Sequence, residues 1–306
     1  MLLDPKLDLV FKKLFCLPEN LPALLKFLNL IFADRGMPLV DDITIQNPQI
    51  DGDSLKDKSI ALDIHAKSAL GESLNIEIQL RSHAGLAERI LYYWSRQYGS
   101  QLQAGEDYNR LRRTVSIFLL DFDLTLQGKM HSVYGVLEKE RYEPLTEQLE
   151  IHLLELPKLK WDGQQQLNML HNWLHFLRGA TIEEWIRMSK DDDELRKVMS
   201  TLESISKDRE MWLLAESRKK WLHDQAAFRA TGYEEGKAEG KAVGLAEGKA
   251  EGLAEGKAEG KAEGLEEGLQ LKNRELAIGM LNEGVSVDII KKLTGYSAEE
   301  LSPFRR

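Results

Sequence analysis

Residues 60–80 read Ile60-Ala61-Leu62-Asp63-Ile64-His65-Ala66-Lys67-Ser68-Ala69-Leu70-Gly71-Glu72-Ser73-Leu74-Asn75-Ile76-Glu77-Ile78-Gln79-Leu80. Ile60, Leu62 and Ile64 alternate with Ala61, Asp63 and His65, and Leu74, Ile76, Ile78 and Leu80 alternate with Asn75, Glu77, Gln79 and Arg81. A period of two is the signature of a half-buried strand, with one apolar face and one polar face. Gly71 between the two runs predicts a hairpin turn. A one-residue slip of the pairing would turn every apolar side chain outward, so the register must set polar face beside polar face. A turn centred on Leu70 puts Asp63 opposite Glu77, and one centred on Gly71 puts Asp63 opposite Gln79. In both, Asp63, Glu77 and Gln79 converge, since facing residues lie roughly 4.5–5.5 Å apart.

Two carboxylates that close repel one another unless a cation, a proton or a basic group lies between them. A hard divalent ion suits oxygen ligands, and magnesium suits carboxylates combined with a substrate phosphate. Such an ion polarises a phosphoryl oxygen and activates water. The plainer reading of the same residues is a solvated polar face, which is ordinary on antiparallel sheets.

Outward from this hairpin, residues 5–33 have helical spacing, broken near Pro18 and Asn20. Ile43 and Ile45 begin the period-two region. An amphipathic helix is expected over 84–103, burying Leu86, Ile90, Leu91, Trp94, Tyr98 and Leu102 and stopping near Gly105. Strands are expected at 114–122, 130–137 and 148–155. Helix, strands, helix and strand in that order make an α/β core with a mixed sheet, followed by an all-helical C-terminal region. Helices are expected near 164–178, 181–189 and 191–230, with a last helical pair over about 273–301. The expected domains are a core over 1–157, a helical extension over 158–231, a glycine repeat over 232–272 and a small helix-turn-helix-like tail over 273–306.

A hydrophobic fraction of 42% in 306 residues is enough for a proper core, and the net charge of −9 does not by itself invite nucleic acid. A local basic groove on an acidic chain remains compatible with it. The one cysteine, Cys16, forms no internal disulfide, and neither a signal-peptide pattern nor a membrane-length apolar run is seen. The expectation is a cytoplasmic protein with no membrane partner.

Four motifs carry a resemblance. They are Asp8-Leu9-Val10-Phe11-Lys12-Lys13-Leu14-Phe15, Leu62-Asp63-Ile64 with Asn75-Ile76-Glu77-Ile78-Gln79, Arg89-Ile90-Leu91-Tyr92-Tyr93-Trp94-Ser95, and Gly105-Glu106-Asp107-Tyr108. In this order and spacing the first 120 residues resemble the recombination-promoting nuclease and transposase family of the PD-(D/E)XK superfamily. The resemblance implies a restriction-endonuclease-like fold and a DNA endonuclease tied to recombination, transposition or defence. It implies Asp63 and Glu77 as ligands of Mg2+, with Mn2+ as a substitute, and Gln79 as the third catalytic residue. Asp8 becomes an outer acidic member that orients water or a second metal ion. Leu62 stands where the signature has Pro, which costs little because only the Asp binds metal. Gln79 stands where it usually has Lys, so it orients water without supplying charge, and Lys67 or Arg81 is a candidate source of that charge. Arg89 is either a phosphate contact or an ion-paired flank residue. Tyr92, Tyr93 and Trp94 are either base-stacking or core residues. A non-catalytic DNA-binding or scaffold protein with the same fold is the rival, and DNA is not separated from RNA.

His171 and His175 have zinc-compatible spacing, but Asn172 replaces the glutamate of the catalytic version, which favours plain helix-face histidines. Glycine recurs every fourth residue from Gly232 to Gly268, with glutamates at 247, 251, 255, 259 and 263 as like-charged i,i+4 neighbours. Each glycine costs a helix about 1 kcal/mol relative to alanine. The tract is thus either a tether or a conditional helix stabilised by self-association, the latter being favoured. In the tail, Ile278, Leu281, Ile289, Ile290, Leu293 and Leu301 are the expected small core, with Lys291, Lys292, Arg305 and Arg306 leaning toward phosphate.

Overall fold

The computed structural model describes residues 2–47, 64–82, 84–126, 128–160, 168–179 and 181–304. Two compact units are present, residues 1–224 and 225–306.

The first unit opens with α1 (Asp8–Phe15) and α2 (Leu21–Ala33), separated by a short 3-10 turn at Pro18–Asn20. Proline is tolerated there because the first turn of a helix has no use for its missing N–H. Strands β1 (Ile43–Ile45), β2 (Ile64–Ser68) and β3 (Ser73–Gln79) follow, then α3 (Leu86–Gly99) and β4 (Thr114–Leu120). Strands β5 (His131–Leu137) and β6 (Pro144–Glu155) complete a mixed sheet ordered β1-β2-β3-β4-β6-β5. β3 and β6 both run parallel to β4, and the other pairings are antiparallel. This is the mixed sheet flanked by helices expected from the order of the elements and from the resemblance.

The β2–β3 hairpin pairs Ile64 with Ile76, His65 with Asn75 and Lys67 with Ser73, so its register is centred on Leu70. Gly71 turns the chain at φ +84°, a left-handed conformation that costs glycine little. Leu74, Ile76 and Ile78 face the main core with Val115, Ile117 and Leu119. That core also holds α1, α2, α4 (Met169–Arg178), α5 (Ile182–Met188) and α6 (Asp193–Ile205), with Phe15, Phe27 and Trp173 stacked at 5.5–6.2 Å between centroids.

The opposite face is covered by α3 through Leu86, Ile90 and partly buried Trp94, against Phe118, Leu120, Ile151 and Leu153. Three expectations for this helix need correction. It ends at Gly99 rather than near Gly105, Leu91 is 53% exposed rather than buried, and Leu102 lies beyond its end. The inward arc runs through Leu86, Ile90, Trp94 and Gln97, and Leu91 lies 100° around the axis from Ile90.

The helix expected over 191–230 is two helices. α6 stops at Ile205, and Asp208 restarts the chain by accepting from the Glu210 N–H at 2.8 Å. From there α7 runs Arg209–Asn282, with Met211 and Ala215 in the main core.

In the second unit α7 continues through the glycine repeat, which is exposed along its length. α8 (Val287–Thr294) and α9 (Ala298–Leu301) close a small core of Ala277, Ile290 and Leu301, with Met280, Leu281, Val285 and Tyr296 packed on it. Ile289 and Leu293, expected inside, are exposed because α8 buries a single stripe, Ile290 and Thr294. Among the described residues no single helix is long and apolar enough to cross a membrane.

Candidate active site

Glu77 lies near the C-terminal end of β3, on the sheet face covered by α3, and is 5% exposed. Burying a carboxylate is costly unless it is paired and hydrogen-bonded, and here Arg89 from the first turns of α3 donates from Nη2 to Glu77 Oε1 at 2.9 Å. The Gln79 side-chain amide donates to the same oxygen. Strand alternation brings Gln79 to the face of Glu77, and the helix brings Arg89 across.

The placement of α3 follows from polar contacts that sequence reasoning did not single out. Gln97 Nε2 donates to Ser73 Oγ at 2.8 Å, Trp94 Nε1 to the Thr114 carbonyl at 2.8 Å, and Gln101 Nε2 to Thr114 Oγ1 at 2.9 Å. Gln97 therefore sits over the start of β3 and Arg89 over its end, so α3 runs antiparallel to that strand. Two glutamines four residues apart, Gln97 on the inner flank of the helix and Gln101 just past its end, are the signal that marks such a clamp.

The remaining selected residues are distributed as follows. Asp63 lies outside the described residues, immediately before Ile64. Asp8 is on α1, bound by Arg218 of α7, whose Nε donates to Oδ1 at 3.2 Å and Oδ2 at 3.0 Å. Lys67 lies at the turn end of the hairpin, near Gly71, and Arg81 is exposed beyond β3. Neither is drawn to Glu77 by any described contact. His65 faces Asn75 across the hairpin, and burial, helped by the charge of Lys12, holds its imidazole below the ordinary value.

Two further polar groups lie near this end of the strands. The Asp121 N–H donates to the Gln79 carbonyl at 2.9 Å, and Lys6 pairs with the Asp121 carboxylate at 2.8 Å. Glu155 shares a row with Gln79 and Leu120 across the sheet, is 1% exposed and pairs with Lys158. Among the described residues no cluster of three His, Cys, Asp or Glu could hold a metal ion. His171 and His175 stay on α4, where burial and then the charge of Arg178 push His175 down to about 4.

No curated protein and no solved structure gives a match to the chain. A family model described as "PD-(D/E)XK nuclease family transposase" matches residues 5–232, spanning the hairpin, the α3 clamp and the helices packed behind them. On a match of that extent, together with the mixed sheet that carries Glu77 and Gln79, the chain belongs to the PD-(D/E)XK nuclease family transposases.

Proposed function

We propose that the protein is a Mg2+-dependent DNA endonuclease, linked to recombination, transposition or defence and working in the cytoplasm. The observation that carries this reading is Glu77, a buried carboxylate held between a guanidinium and a carboxamide at the end of a central strand. In our reading the hairpin register, centred on Leu70, continues one residue to set Asp63 against Glu77. Hard oxygen donors of that kind fit Mg2+ and its substitute Mn2+. When bound, the ion would supply Lewis acidity toward a phosphoryl oxygen and toward water. Gln79 would orient the attacking water through its amide. Arg89 would hold the Glu77 carboxylate in place and meet phosphate when substrate enters. Asp8, tied to Arg218, would be a supporting acid on the neighbouring helix.

The rival is a non-catalytic DNA-binding scaffold, and one contact favours it: a guanidinium already engages a Glu77 oxygen. Supercoiled plasmid incubated with the full chain, with and without Mg2+, separates the two. Nicking that needs Mg2+ and is lost in Asp63→Ala and Glu77→Gln supports the nuclease. Nicking that is equal in wild type and both variants, or absent throughout, supports the scaffold.

We further propose that the glycine repeat associates with a second copy of itself. On the helix its lysines (such as Lys249 and Lys257) lie about 60–100° to one side of the glycine row and its glutamates (such as Glu251 and Glu259) about 60–100° to the other. Two parallel copies meeting along the glycines would set lysine against glutamate, whereas antiparallel copies would set like against like.

A further inference from the structure

α3 has a second working face. Arg89, Tyr92, Tyr93 and Arg96 fall at positions i, i+3, i+4 and i+7, which is one stripe of a helix. Tyr92 is 56% exposed and Tyr93 52% exposed, unusual for two adjacent aromatic residues on a helix whose other flank is anchored to the sheet. The stripe is ordered by its own contacts. The Arg89 guanidinium lies 5.6 Å from the Tyr93 ring centre, the Arg96 guanidinium 6.0 Å from that of Tyr92, and the two rings meet edge-on at 5.5 Å. Trp94 and Tyr98, by contrast, stack on each other on the inner flank, and Trp94 packs into the core. So the aromatic cluster divides: Trp94 serves the fold, and Tyr92 and Tyr93 face water.

The local charge matches this face to one class of ligand. From Arg81 to Arg112 five arginines stand against three carboxylates, Glu88, Glu106 and Asp107, in a chain whose net charge is −9, while Arg113 turns inward to Glu72 and Glu150. Arg110 and Arg112 lie in the segment that leads from α3 to β4, beside the 82% exposed ring of Tyr108. Arginines interleaved with exposed tyrosines bind phosphate and stack on bases, and a base is free to stack only where it is unpaired. A duplex would engage the arginines and leave the rings unused. The stripe begins at Arg89, which touches Glu77, so a strand laid along it reaches the candidate catalytic carboxylate.

We propose that the outer stripe of α3, Tyr92 and Tyr93 with Arg89 and Arg96, is a platform for an unpaired DNA strand, which it leads to Glu77. This deepens the nuclease reading by naming single-stranded or locally opened DNA as the substrate form, and it rests on that reading for its direction.

The test is fluorescence anisotropy of the full chain in EDTA, which prevents turnover. The probes are a labelled oligothymidylate of about 20 nucleotides and a labelled duplex of the same length. The single strand should bind more tightly than the duplex. Tyr92→Ala with Tyr93→Ala should weaken single-strand binding roughly tenfold or more, leaving duplex binding and the salt slope unchanged. Tyr92→Phe with Tyr93→Phe should bind as wild type, since stacking needs the ring and not the hydroxyl. Arg96→Gln should lower the salt slope by roughly one phosphate contact. Single-strand affinity unchanged in the double alanine variant overturns the platform, as does a duplex bound as tightly as the single strand. The two readings fail separately. Plasmid nicking indifferent to Glu77→Gln sinks the nuclease and leaves the anisotropy result standing. Nicking that needs Glu77 alongside tyrosine-independent binding sinks only the platform.

Discussion

Arg89 Nη2 donates to Glu77 Oε1 at 2.9 Å, joining an arginine side chain that is one-third exposed to a carboxylate that is almost wholly buried. The Glu77 side chain has therefore been taken out of water with a cation beside it, and removing that cation leaves a buried charge without this donor. Arg89→Ala should lower stability by about 1.5–3 kcal/mol, the range for a hydrogen bond to a charged group. Adding Glu77→Gln should recover part of the loss, since a neutral amide no longer needs the guanidinium. Urea melts of the two single variants and the double variant measure the coupling. A coupling under about 0.5 kcal/mol, the ordinary additivity error, would mean that the pair does not hold the carboxylate.

The hairpin was legible because strands obey a period of two and because Gly71 marks the turn. Gln79 on the Glu77 face follows from that alone, whereas alternation permits a turn centred on either Leu70 or Gly71, and the structure takes the first. What lay beyond reach is long-range pairing. Nothing local says that β6 adds beside β4 and pushes β5 to the edge, because parallel order is set by packing and not by pattern. Leu91 was misplaced because a helix with apolar residues on adjacent arcs has no single apolar face to read. The sequence leaves Arg89 open between two roles, since a helix flank does not name the strand it will face. Asp8 showed its acid but not Arg218, its partner 210 residues away.

That distant pair gives a second prediction. Arg218 Nε reaches both oxygens of Asp8, and both side chains are mostly buried. Ala215 and Met211, one and two turns earlier on α7, are in the main core. The opening of α7 is thus part of the first unit. A chain ending after Asp224 should unfold cooperatively with the stability of that unit. One ending after Asp208 should lose about 3–5 kcal/mol, combining the broken ion pair with the lost apolar burial. Equal denaturation midpoints for the two would show that α7 contributes nothing to the core.

Acid should destabilise the first unit through His131. This side chain is 1% exposed, with Nδ1 2.8 Å from Asp34 and Nε2 3.0 Å from His152 Nδ1, whose own Nε2 lies 3.5 Å from Glu150. Burial lowers His131 from 6.5 to about 4; the Asp34 hydrogen bond opposes this, and the charges of His152 and Arg35 reinforce it. The unfolded chain therefore binds a proton between these values that the folded chain refuses, so stability is complete above about pH 6.5 and falls as pH drops toward 4. Glu150 acts in the same sense at lower pH: burial raises it, but hydrogen bonds from His152 and Arg113 prevail and hold it below 4.5. Urea midpoints measured from pH 7 to 4 should fall in wild type and fall less in His131→Asn. Parallel curves would remove His131 as the source.

The glycine repeat separates a tether from a pairing helix by an opposition of signs. A Cβ added at Gly244, Gly248, Gly252 or Gly256 meets nothing within 4 Å, so on a lone helix each alanine should add about 1 kcal/mol of helix stability. If a second copy lies close along the glycines, the same methyl groups hold the two backbones apart. Replacing these four glycines by alanine should therefore raise the helical circular dichroism signal at low concentration, while sedimentation equilibrium shows weaker self-association. More helix with unchanged association would place the contact elsewhere. More helix in a chain that is monomeric before and after substitution would leave the repeat as a spacer.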